Sequence, residues 1–146
     1  MTEFETLGID HSEEIFEFCE KQGLSVDDGI DGVVIEYLVL RDEGGIAATS
    51  SIEIFEGRPF VEMVAVREDL RRGGVGREIV SESLRRLMER GYRSIWVVAR
   101  KPRFFRSSGF VPELDLDLVE KLLSKCQGCD QLGTTCTPEV LRFDFR

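Results

Sequence analysis

Val61-Glu62-Met63-Val64-Ala65-Val66, followed shortly by Arg71-Arg72-Gly73-Gly74-Val75-Gly76-Arg77, is the stretch that decides the fold. A β-branched apolar run gives way to a turn of glycines and arginines, and the apolar period then changes. From Gly74 to Arg90, Val75, Ile79, Val80, Leu84, Leu87 and Met88 fall on one helix face. Glu78, Glu82, Arg85, Arg86 and Glu89 are expected to face mainly outward, and Gly91 is placed to stop the helix. Ser94–Ala99 is a short β-rich run immediately after it. Strand, long helix and strand in series predict a βαβ unit whose two strands are parallel.

Upstream, Val33–Leu40, Ile46–Phe55 and Phe60–Val66 read as strands. Gly44-Gly45 and Gly57-Arg58-Pro59 supply short turns between them, which implies an antiparallel meander. A first helix is expected after Asp10 or Ser12, either of which can act as an N-cap, with Ile15, Phe18 and Cys19 on its buried face. Asp27-Asp28-Gly29-Ile30-Asp31-Gly32 is a loop that lacks the ligand ladder and closing Glu of a calcium-binding loop. Downstream, Pro102–Ser108 is a short helix ending at Gly109, Leu116–Lys125 another helical piece, and Val140–Phe145 a last strand. The expected class is α/β: a mixed central sheet with an antiparallel N-terminal meander, a βαβ unit and flanking helices.

The 146 residues fit one domain, 1–146. With 19 Lys plus Arg against 28 Asp plus Glu, the formal net charge is −9, which argues against a general nucleic-acid binder. No apolar run approaches the roughly 18–20 residues of a membrane span. The acidic start, Met-Thr-Glu-Phe-Glu-Thr, lacks an export signal, so a cytoplasmic location is expected. Any anionic ligand must therefore be held by local positive charge. The turn at 71–77 supplies it, since a helix start exposes unpaired N–H groups and carries partial positive charge. Glycines let an anion approach closely, and Arg71, Arg72 and Arg77 add charge. The alternative is a helix start with glycines for turning and arginines for solubility. The turn lacks the Gly-Lys-Ser/Thr of a P-loop and the G-x-G-x-x-G spacing of a dinucleotide fold.

Arg71-x-x-Gly74-x-Gly76 resembles the Q/R-x-x-G-x-G/A signature of the GNAT superfamily of acetyl-CoA-dependent N-acetyltransferases. Val61–Val66 resembles that family's fourth strand, and Phe104-Phe105-Arg106-Ser107-Ser108-Gly109-Phe110 its F-[YF]-x-x-x-G-F segment. The resemblance covers roughly residues 1–112 and leaves 113–146 as a family-variable tail bearing cysteines. It implies that backbone groups of Val64, Ala65 and Val66 lie along the pantetheine arm of acetyl-CoA. It further implies that amides of Arg72, Gly73, Gly74, Val75, Gly76 and Arg77 hold the pyrophosphate with Arg71 near by, and that Phe104 and Phe105 line the cofactor cleft.

Acetyl transfer to an amine requires loss of an ammonium proton, a donor to the thioester carbonyl and departure of the thiolate. Glu62, beside the implied thioester, is the candidate general base, with a solvent-facing strand glutamate as the alternative. Many relatives carry Tyr where this chain has Phe105, and a phenyl ring cannot protonate the leaving thiolate. Ser107, Ser108 or water could substitute, or no acid is needed. Arg100-Lys101-Pro102-Arg103-Phe104-Phe105-Arg106 concentrates cations suited to carboxylates. It is similar to N-acetylglutamate-synthase-like members, which makes a small acidic amine such as glutamate the expected acceptor, bound by Arg100, Lys101 and Arg103. The remaining readings are a protein N-terminus or lysine as acceptor, or a non-catalytic, metal-gated CoA sensor. Cys126-x-x-Cys129 and Cys136 could bind zinc, with His11, Asp130 or Cys19 as a fourth ligand, act as a redox pair, or be inert. The expected partner is thus a small-molecule amine, with no nucleic acid and no membrane, and a homodimer is left open.

Overall fold

The apolar runs of the N-terminal half form the antiparallel meander, with one strand more than expected. In the computed structural model, which describes residues 3–24, 30, 32–124 and 138–145, the chain divides into two compact units, 1–92 and 93–146. In the first unit, β1 (Phe4–Leu7) pairs with β2 (Val33–Asp42), β2 with β3 (Gly45–Phe55), and β3 with β4 (Arg58–Val66), all antiparallel. The second hairpin turns at Glu56 and Gly57, both at positive φ, so Arg58 and Pro59 belong to β4 rather than to a turn.

Helix α1 (Ser12–Lys21) covers one face of this sheet. Its Ile15, Phe18 and Cys19 join Leu7, Tyr37, Val39 and Ala65 in a buried cluster. Neither expected N-cap holds that position. His11 is the cap, Asp10 lies in the preceding 3-10 turn, and the Ser12 hydroxyl bonds the Tyr37 phenol at 2.6 Å. The other face packs Leu38 and Ala48 against Ile79 of helix α2 (Val75–Glu89). Within α2 the buried residues are Ile79, Val80, Ser83, Leu84 and Leu87, whereas Met88, expected inside, is 49% exposed. Ser83 takes a core place because its hydroxyl meets Ser50 of β3 at 2.7 Å and donates to the Ile79 carbonyl.

In the second unit, β5 (Ser94–Ala99) pairs antiparallel with β7 (Glu139–Asp144), and β7 with a two-residue strand, β6 (Val111–Pro112). Helix α3 (Pro102–Arg106) is shorter than expected, and the chain leaves it through Gly109 at φ 99°. Helix α4 (Leu116–Leu123) is capped by Asp115, which accepts from the Asp117 and Leu118 amides. Among the described residues, no helix is long and apolar enough to cross a membrane.

Glu113 pins this unit. Its carboxylate accepts from the Trp96 indole at 2.6 Å, from the Leu114 and Asp115 amides at 3.1 Å, and from Arg142. Burial pushes the carboxyl up, but these donors together outweigh it and hold it below its usual range. A carboxyl lowered in this way stabilises the fold above the unfolded-state value, and that contribution disappears as pH falls through the folded one. Glu113→Ala is expected to cost about 1–2 kcal/mol, because the half-buried Trp96 indole and Arg142 guanidinium lose a charged acceptor. Urea denaturation measures it, and the deficit should shrink in acid.

Candidate functional site

Two local departures from regular backbone shape the first unit's site. Between the pairs Thr49↔Ala65 and Ser51↔Glu62, β4 holds an extra residue, and Met63 sits at φ 52°. A bulge of this kind bends the strand and re-aims its side chains. The left-handed conformation costs a non-glycine residue about 1 kcal/mol or more. Here the Thr49 hydroxyl donates to the Met63 carbonyl at 3.0 Å and helps to hold it. Glu62, immediately before the bulge, is half-buried, as are Met63, Val64 and Val66, while Ala65 is buried.

The second departure is the glycine turn. Arg72 and Gly74 both adopt positive φ, 72° and 86°, on either side of Gly73. Gly74 is the N-cap of α2 and has no side chain to cap it, so the first-turn amides of the helix are not covered by their own cap residue. Arg72, Gly73, Gly74 and Arg77 are exposed, and Val75 and Gly76 half-buried. A Cβ built on Gly74 would meet nothing within 4 Å, so a side chain at that position would begin in open space. Alternating left- and right-handed backbone at a helix start makes a concave nest of N–H groups suited to a phosphate.

Arg71 is placed differently from its neighbours. Its guanidinium donates to the Val66 carbonyl at 3.1 Å and to the Gln22 carbonyl and side chain at 3.3 and 3.2 Å. It therefore braces the end of α1 against the end of β4. Nothing in the sequence links Arg71 to Gln22, which lies 49 residues earlier.

Sequence reasoning missed the polar side chains beside Glu62. Tyr37, Ser51 and Glu62 are directly opposed across β2, β3 and β4, so they leave the same face, the one that α1 covers. Glu53 is next along β3 on that face, only 6% exposed, and accepts the Ser51 hydroxyl at 2.8 Å. Burial raises the Glu53 carboxyl above the ordinary range, with the Ser51 bond opposing. A carboxyl raised on folding supports the fold below the unfolded-state value and ceases to as pH rises through the folded one. Glu53→Gln should consequently melt at or above the wild type at neutral and higher pH, with the gap closing in acid. Thermal melts across that range test this. The alternation Ser51-x-Glu53 within an apolar strand was the available signal.

In the second unit, Phe105 is buried and makes edge contacts with Phe104 and Phe110, at ring centroid separations of 5.0 and 5.4 Å. Lys101 and Arg103 are exposed and Arg100 half-buried. Arg106, the fourth cation of that run, is engaged by the Glu139 carboxylate at 2.7–3.0 Å. Cys126, Cys129 and Cys136 lie outside the described residues, as do Asp130 and most of the acidic loop at 27–32. Among the described residues, no group of three or more His, Cys, Asp or Glu is placed to hold a metal ion. Cys19 is a core residue whose thiol burial pushes up to about 11.

The family model described as "Acetyltransferase (GNAT) domain" matches residues 34–112, more than half of the chain. Among solved structures, the chain is similar to N-acetylglutamate synthase from Neisseria gonorrhoeae, complexed with coenzyme A and N-acetyl-glutamate. The identity is 12% and the TM-score 0.72 over 100% of this chain, which spans 35% of the length of that protein. Escherichia coli ElaA is similar at 16% identity and a TM-score of 0.70, with 99% of this chain and 100% of ElaA covered. The PaiA N-acetyltransferase from Thermoplasma acidophilum, in complex with coenzyme A, is similar at 10% identity and a TM-score of 0.65, with 99% of each chain covered. At these identities the likeness is one of fold.

Proposed function

Since this chain belongs to the GNAT acetyltransferase family and is thereby an acetyl-CoA-dependent N-acetyltransferase, we propose that it acetylates the amine of a small acidic amino acid, glutamate or a close analogue, by direct transfer in a ternary complex. A single acetyltransferase domain carries out the reaction in this reading. The observation that supports it most is the open, uncapped glycine turn ahead of α2. Amides of Arg72 through Arg77 hold the pyrophosphate there, and Val64, Ala65 and Val66 offer backbone to the pantetheine arm. On the second unit, Phe104, backed by the buried Phe105, offers apolar surface to the cofactor, and Arg100, Lys101 and Arg103 offer cations to the acceptor's carboxylates.

In the transfer step the amine nitrogen attacks the thioester carbon, the new C–N bond forms, and the C–S bond breaks. Glu62 takes the ammonium proton, directly or through one water, and the second N–H proton lost as the amide forms is taken up by the departing sulfur. Phe105 has no proton to give, and a thiolate, the conjugate base of a far stronger acid than an alcohol, leaves without an obligatory acid. Incubation of the purified protein with acetyl-CoA and free amino acids, followed by mass spectrometry, tests this. N-acetylglutamate or a similar acidic product is expected. Preference for a lysine or N-terminal peptide overturns the acceptor, and coenzyme A binding without turnover on any amine favours a sensor. Metal content of the same sample decides whether zinc accompanies the tail cysteines.

A further inference from the structure

We propose that Glu53 is a positioning residue for acetyl transfer, acting on Glu62 through the Ser51 hydroxyl. The inference rests on the reading of Glu62 as the general base. Its ground is the register of the first unit's sheet and the direction of one hydrogen bond.

Ser51 is directly opposite Glu62 in the β3–β4 ladder, so both side chains leave the same face on adjacent strands. Directly opposed residues have Cβ atoms about 4.5–5.5 Å apart, within reach for a hydroxyl and a carboxyl. Ser51 has a single proton, and it donates that proton to Glu53 Oε2 at 2.8 Å. What Ser51 can turn toward Glu62 is therefore an oxygen lone pair. A lone pair is satisfied by a protonated carboxyl and not by a carboxylate. The Glu53–Ser51 pair thus favours the protonated form of Glu62, the form that exists just after Glu62 has taken the amine's proton.

The same chain of groups moves that proton on. Glu62 passes a proton to Ser51, Ser51 passes its own to Glu53, and Glu53 finishes as a neutral acid. The amine nitrogen is then bonded to the acetyl carbon, the C–S electron pair resides on the coenzyme A sulfur and takes up the second N–H proton to give the free thiol, and solvent later removes the proton from Glu53. Burial, which raises the Glu53 carboxyl, makes it a better resting place for a proton. The row is anchored at its far end, where the Tyr37 phenol is bonded to Ser12 of α1. Among the described residues of the buried cluster, the Tyr37 phenol and the Cys19 thiol are raised mainly by burial from values already far above the carboxylate range, so neither confuses a carboxylate titration.

The test compares wild type, Glu53→Gln, Ser51→Ala, Ser51→Thr and the double variant Glu53→Gln/Ser51→Ala. Acetyl-CoA is the donor, with L-glutamate and a lysine-bearing peptide as alternative acceptors. Glu53→Gln and Ser51→Ala are each expected to lower kcat by about 10- to 100-fold, below the usual range for loss of a general base. Their coenzyme A affinity stays at the wild-type value. The double variant is no slower than the worse single, and Ser51→Thr, which keeps the hydroxyl, recovers most of the rate. In Glu53→Gln the acid limb of the kcat/KM profile moves to lower pH, because a neighbouring negative charge is gone. Wild-type kcat and an unshifted acid limb in Glu53→Gln overturn the proposal, as do losses that multiply in the double variant. A wild-type protein that acetylates neither acceptor removes the underlying reading of Glu62 and the proposal with it, an outcome distinct from the others.

Discussion

Gly74→Glu abolishes measurable coenzyme A binding while leaving the protein folded: that is the largest effect expected of any single substitution in this chain. Two terms contribute, and they separate. The first is backbone strain, since Gly74 sits at φ 86° and an L side chain there costs about 1–2 kcal/mol. That term affects stability and is shared by Gly74→Ala. No clash adds to it, because a Cβ at this position meets nothing within 4 Å. The second term is electrostatic and belongs to Glu alone. Two unit charges about 5 Å apart at an effective dielectric of about 20 repel by roughly 3 kcal/mol, and a diphosphate carries more than one charge. Three kcal/mol is already more than a 100-fold loss of affinity. Calorimetric titration with coenzyme A should show Gly74→Ala weakened only slightly and Gly74→Glu silent. Comparable binding by both would move the pyrophosphate away from this turn.

What made that turn legible was local chemistry. Glycines and arginines lie within seven consecutive residues, and a change of hydrophobic period marks the helix that follows. The long strands and α2 were legible for the same reason, because each contains enough residues to display a period. β1 was not. Phe4-Glu5-Thr6-Leu7 has too few residues to show alternation and is a strand because β2 offers it a hydrogen-bonding edge. β6 is shorter still and depends on β7 in the same way. Ser12 looked like a cap because Ser usually is one, but a phenol brought from β2 competes for its hydroxyl. Long-range ion pairs were equally invisible. Glu139 engages Arg106 across 33 residues, which removes one cation from a run that reads as four equivalent charges. The site residues that sequence singled out in the first unit sit where backbone geometry is unusual, at the bulge and at the turn. The one it overlooked, Glu53, acquires its character from burial, which composition does not display.

Glu62→Gln tests the chemistry as Gly74→Glu tests the binding. The amide keeps the size and shape of the carboxylate, so the β4 ladder and the bulge at Met63 are retained and coenzyme A affinity should not change. Only the capacity to take a proton is lost. A general base in position contributes about 10²- to 10⁴-fold, and kcat is expected to fall within that range with the acid limb of the pH profile erased. A fall in kcat and kcat/KM together, with KM for acetyl-CoA constant, is the signature of an interaction made only in the transition state. The competing possibility, a glutamate of purely structural use on a half-buried strand, predicts a lower melting temperature and an intact kcat. Glu62→Asp sharpens the distinction, because it retains the base but draws it back by one methylene. If Glu62 acts through geometry fixed by the bulge, Asp should recover the acid limb without recovering the full rate. The Thr49 hydroxyl that holds the Met63 carbonyl then becomes the residue through which β3 sets the aim of the base.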